Sequence, residues 1–139
     1  MRELPRQLTV EELTPLFSGR TRLVEVLAEH ADPLGVSEDV ALALPEEDKV
    51  AALATHPRIG EPSDEQRGAE PEVLAELAEL NADYESRFGF GFVVFVNGRT
   101  RAELVPVLRE RLERPREHEL ETGLRELCAI ARHRWTRTT

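Results

Sequence analysis

Four side chains stand where their chemistry could be used: His56, Glu65, Gln66 and Arg134. His56 and Pro57 lie where an apolar helical stretch (Val50, Ala51, Leu53, Ala54) gives way to an irregular segment containing Gly60. Side chains from different elements converge at such junctions, and an imidazole there can donate or accept a proton near neutral pH. The same position also suits a histidine that packs or answers a helix dipole. Arg134 falls four residues after Ile130 and seven after Leu127, which puts it on the apolar face formed by Leu120, Leu124, Leu127, Ile130 and Ala131. It either snorkels to water from the last turn of its helix or offers a cation to an anionic ligand. Ser63 to Gln66 has the S-x-x-Q form of a capping box, which starts a short helix or else aims Glu65 and Gln66 into a pocket. His30, His118 and His133 have no comparable context, and with Cys128 the only cysteine the spacing supports no metal site. Walker loops, dinucleotide-type glycine patterns after a strand and G-x-S-x-G elbows are not found, which weighs against the common nucleotide-dependent and serine-hydrolase classes.

The elements that must position these groups are helical. Thr9 with Glu12 is a capping box that opens a first helix ending near Ser18-Gly19. A second follows from Thr21 to about His30, until Asp32-Pro33 breaks it, and Ser37 and Pro45 start two more short helices. Residues 57–70 hold two prolines and two glycines and read as a surface loop with at most one helical turn. Pro71 begins a long amphipathic helix through Leu77, Leu80 and Tyr84 to Phe88-Gly89. The FGFGFVVFVNG run that follows is made of strand formers ending in a turn signal, but a lone strand has no partner, so a buried helix or extended turn is expected. Thr100 with Glu103 caps a helix running to about Glu113, and a final helix spans Arg116 to Trp135. The expected fold is an all-α, single-domain bundle of seven or eight helices occupying residues 1–139.

Composition narrows the partners. A chain of 139 residues that is 40% hydrophobic can bury one core, and its net charge of −9 repels nucleic acid and anionic lipid. An anionic small molecule would have to be held by a few cations gathered locally against that field. Neither a signal peptide nor a membrane span of ~18 apolar residues is evident, TRTT is not a peroxisomal address, and the single cysteine fits a reducing, cytoplasmic setting.

Three segments, HPRIG at His56–Gly60, SDEQ at Ser63–Gln66 and LNADYESRFGFGF at Leu80–Phe92, resemble the OHCU decarboxylases, whose substrate is 2-oxo-4-hydroxy-4-carboxy-5-ureidoimidazoline. A weaker match is IARHRW at Ile130–Trp135, similar to that family's terminal I-x-x-L-R-L. The resemblance implies a catalytic His56, a supporting Glu65 and an anion-binding Arg134. It also implies substrate contacts from Pro57, Ser63 and Gln66 and from the backbone of Phe90, Gly91, Phe92, Val93 and Val94. The implied protein converts this small anionic ureidoimidazoline to (S)-allantoin in urate breakdown, as a homodimer. It needs no cofactor, since a carboxylate beside a conjugated imine loses carbon dioxide into the substrate's own ring system. The sequence departs from the pattern at Gly91, where proline is usual, at His133 and Trp135 beside the terminal arginine, in the short spacing between HPRIG and EQ, and in lacking a tryptophan near the first helices. The alternatives are a non-catalytic helical interaction module and a decarboxylase or hydrolase of a related ureido acid.

Overall fold

The computed structural model describes residues 7–56 and 71–137. Helix α1 (Val10–Leu13) opens on the expected capping box, with Thr9 and Glu12 each bonding the other's backbone N–H. It runs into a 3-10 turn (Thr14–Leu16) and stops at Ser18, which has a left-handed φ of 64°. Helices α2 (Arg22–Leu27), α3 (Ser37–Ala43) and α4 (Glu46–Ala54) follow. Helix α2 is shorter than expected because the chain turns at Glu29 and His30, whose N–H groups bond Val26 and Leu27. Helix α5 (Pro71–Phe88) begins at the expected proline. Helix α6 (Arg101–Leu112) carries the second capping box, Thr100 with Glu103, and α7 (Arg116–Arg137) closes the described chain. Among the described residues the fold is all-α, without a strand, as the sequence predicts.

Helix α7 is the central post. Leu124, Leu127, Cys128, Ala131 and Trp135 on it are fully buried, and it packs against α3, α4 and the 3-10 turn, while α5 packs on α6. Gly123 lets α4 approach closely: a Cβ there would meet both methyls of Leu53 at 3.3 Å. Trp135, one of the departures from the family pattern, thus sits in the core, whereas His133 is exposed and lies against Phe95 with ring centroids 5.1 Å apart.

The phenylalanine-rich run threads through the core as irregular, extended chain, in line with the expected extended turn. Four of its backbone groups are answered by side chains instead of a neighbouring strand. Arg111 Nη1 donates to Val93 O (2.8 Å), Phe95 N donates to Glu126 Oε1 (3.3 Å), and Arg99 donates to the carbonyls of Phe95 (2.6 Å) and Val96 (3.1 Å). Extended backbone with its partners supplied this way can be buried in a helical protein. Asn97 and Gly98, both at positive φ, then reverse the chain into α6.

Beneath this run lies a buried polar cluster. Tyr84 Oη and Arg111 Nε both donate to Glu119 Oε1 at 2.7 Å, and the Arg111 guanidinium sits 4.5 Å from the centroid of the Phe92 ring. Burial, and then the Glu119 carboxylate, push the Tyr84 phenol well above its ordinary range, so it stays a donor.

Candidate active site

His56 follows the last turn of α4, its N–H bonding Leu53 O at 3.3 Å. The neighbouring Thr55 hydroxyl reaches the carbonyls of Ala52 (3.1 Å) and Phe17 (3.2 Å), fastening the end of α4 to the turn that closes the 3-10 segment. Gly19 permits this approach, since a Cβ there would meet Thr55 Cγ2 at 3.0 Å. Ser18 is thereby brought to the imidazole, with its Oγ 3.4 Å from His56 Nδ1.

Arg134 arrives from the last turn of α7. Its Nη1 donates to Ser18 Oγ (2.8 Å) and to the carbonyls of Leu16 (3.1 Å) and Pro15 (3.3 Å). Among the described residues no carboxylate pairs with this half-buried guanidinium. All three bonds use Nη1 alone.

His56 also lines a cleft of about 690 Å³, in the range of small-molecule sites. The end of α4 (Val50, Leu53, Ala54, Thr55) forms one wall, and Glu85 of α5 with Gly89, Phe90, Gly91 and Phe92 forms the other. Among the described residues, the N–H groups of Gly91 and Phe92 make no backbone hydrogen bond. Burial first, and the Arg134 charge second, hold the His56 pKa down at about 4, so the imidazole is neutral at physiological pH. A neutral imidazole at a concave wall, backed by a cation, can hydrogen-bond an anionic ligand or exchange a proton with it.

The expected site residues divide into four groups. His56, Phe90, Gly91 and Phe92 line the cleft; Arg134 is not among the lining residues and meets His56 through Ser18. Val93 and Val94 are buried away from the cleft lining, and the Val93 carbonyl is taken by Arg111. Pro57, Ser63, Glu65 and Gln66 lie outside the described residues. Ser18 and Glu85 were not singled out in the sequence. Ser18 reads there as a helix stop, and only its contact with two elements distant in sequence marks it. Glu85 sits one residue from the buried Tyr84 and three before Phe88, at the edge of the apolar face of α5.

An all-α bundle with a concave cleft beside a histidine–serine–arginine contact belongs to the class of helical folds that build small-molecule sites between their elements. Residues 2–136 match the family model described as OHCU decarboxylase, and the chain belongs to that family. Its relatives include the uric acid degradation bifunctional protein PucL of Bacillus subtilis, 35% identical over 107 residues that cover 68% of this chain and 22% of that protein. The uric acid degradation bifunctional protein TTL of Arabidopsis thaliana is 43% identical over 58 residues, 42% of this chain and 18% of that one. The chain therefore spans less than a quarter of the length of these curated relatives. Among solved structures, an OHCU decarboxylase crystallised in the presence of (S)-allantoin aligns with a TM-score of 0.75 and 28% identity, covering 84% of this chain and 89% of that one. An (S)-allantoin synthase aligns with a TM-score of 0.67 at 18% identity, covering 93% of this chain and 53% of that one, which speaks to the fold alone.

Proposed function

We propose that the protein decarboxylates 2-oxo-4-hydroxy-4-carboxy-5-ureidoimidazoline to (S)-allantoin, with His56 as the acid/base group. The reading rests on family membership and on one observation above all: a neutral imidazole lining a small cleft, linked through Ser18 to a guanidinium with no carboxylate partner among the described residues. In the reaction the bond between the ring carbon and the carboxylate breaks and carbon dioxide leaves. The electron pair delocalises into the conjugated imine, and one proton is taken up on one face of the ring. The protein must orient the carboxylate, stabilise the spreading charge and direct that proton. Arg134, whose Nε and Nη2 are not used in its three tethers, is assigned to the anionic carboxylate. Glu65 is assigned to the hydroxyl or ureido N–H groups, with Pro57, Ser63 and Gln66 touching the substrate. The backbone of Phe90 to Val94 is assigned to the ring, for which the N–H groups of Gly91 and Phe92 are the best placed. A single domain, a homodimer and a cytoplasmic location belong to the same reading.

The test is a coupled urate-oxidation assay followed by circular dichroism of the allantoin formed. The account expects (S)-allantoin to accumulate in protein-dependent fashion. Racemic product at the uncatalysed rate would favour the interaction module, and turnover confined to another ureido acid would move the substrate assignment.

A further inference from the structure

Ser18 is the least expected member of the site. It is a non-glycine residue at positive φ (64°), a conformation that side-chain-bearing residues seldom adopt without surrounding structure to hold it. Here the surrounding structure is specific: Gly19 packs on Thr55, and the Thr55 hydroxyl reaches Phe17 O, so the turn is pinned against the end of α4. The result is a hydroxyl within reach of both Arg134 Nη1 (2.8 Å) and His56 Nδ1 (3.4 Å).

We propose that Ser18 is a positioning residue that sets the tautomer of His56: its hydroxyl accepts from Arg134 Nη1 and donates to His56 Nδ1, leaving the imidazole proton on Nε2. A hydroxyl has one proton and two lone pairs, and Arg134 cannot accept, so one lone pair is committed to the guanidinium. The hydroxyl proton then has Nδ1 as an acceptor, and polarisation by the cation makes it a better donor. The opposite arrangement, with Nδ1–H pointing at Ser18, would aim the positive end of an N–H dipole toward the Arg134 charge. The lone pair of Nδ1 facing that charge is the favourable orientation. Burial of His56 and its proximity to Arg134 keep the ring neutral, so only one nitrogen carries a proton. His56 therefore meets a ligand as an Nε2–H donor, and the chain of bonds from α7 through the turn to α4 holds the ring in one orientation. This inference rests on the proposed decarboxylation for its catalytic consequence but not for the tautomer itself.

The experiment is two-bond 1H–15N correlation spectroscopy of 15N-histidine-labelled protein near pH 7.5, with the His56 signals assigned by their loss in His56→Asn. Expected in the wild type are an unprotonated Nδ1 and a protonated Nε2. Ser18→Gly, which tolerates the left-handed backbone and removes the hydroxymethyl group, should shift His56 toward a tautomer mixture and lower kcat about tenfold, with KM changing less. Ser18→Ala, which keeps the Cβ at positive φ and removes only the hydroxyl, should show the same tautomer change. A protonated Nδ1 in the wild type overturns the proposal, as does an unchanged tautomer in a folded Ser18→Gly protein. If the protein proved inactive on the ureidoimidazoline, the decarboxylation reading would fall while the spectrum still decided the tautomer.

Discussion

Arg134 faced two readings at the outset, a snorkelling helix-end cation or an anion binder, and the structure gives it a tether neither reading required. Its Nη1 holds the carbonyls of Pro15 and Leu16 and the hydroxyl of Ser18, joining α7 to the far end of the chain. Replacing it by Met should therefore cost about 1–2 kcal/mol of stability from lost hydrogen bonds. If Arg134 also binds the substrate carboxylate, the folded Met variant should lose one to several kcal/mol in kcat/KM beyond that, and Lys should restore only part of it because an ammonium lacks the planar fork. Thermal melts alongside steady-state kinetics separate the two effects. Wild-type kinetics in folded Arg134→Met would remove the arginine from the site. His56 and Arg134 were legible in the sequence because a helix end and an apolar-face spacing mark them. Ser18 was not, because its role depends on contacts 38 and 116 residues away.

The segment following α5 is held by side chains of neighbouring elements and, at its own end, by Arg99 on the carbonyls of Phe95 and Val96. Arg111 of α6 takes the Val93 carbonyl while its charge is met by Glu119 of α7, and Tyr84 of α5 completes the set. All three side chains are buried, so removing one partner strands the rest. Glu119→Gln keeps the shape but leaves the Arg111 charge uncompensated, and should destabilise by about 3–5 kcal/mol, a drop in Tm of roughly 10 °C or more. Chemical denaturation would check it, and a loss under about 1 kcal/mol would mean that the cluster does not hold the fold together. The helix starts were readable from Thr9/Glu12, Thr100/Glu103 and Pro71, whose local chemistry decides them. The cluster was within reach of the same reasoning that found Arg134. Glu119 precedes Gly123 and Leu127 at four-residue steps on α7, Arg111 follows Leu104 and Leu108 on α6, and Tyr84 follows Leu77 and Leu80 on α5. A polar residue on an apolar face signals a buried partner, but which helices meet is set by packing, and spacing along one helix does not encode that.

Across the whole molecule a net charge of −9 opposes an anionic ligand, so binding must come from a local cation in a partly dehydrated setting. The site meets that requirement by drawing the end of α4, the turn after the 3-10 segment and the last turn of α7 to one point, and the same Arg134 charge helps keep His56 neutral. A pKa lowered to about 4 means that the neutral form is fully populated above about pH 5 and is lost only as the pH falls toward 4. An anionic ligand beside the ring favours the protonated form, so the acid limb of kcat lies at higher pH than that of kcat/KM. The most direct test of the account is kcat/KM for (S)-allantoin formation by wild type and His56→Ala, measured from about pH 5 to 8 with circular dichroism to confirm folding. The account predicts a wild-type profile with no acid limb near the ordinary histidine value of 6.5, and a folded variant slower by about 10²-fold or more. A folded His56→Ala protein retaining more than about a tenth of the wild-type rate would contradict the acid/base role on which the reading rests.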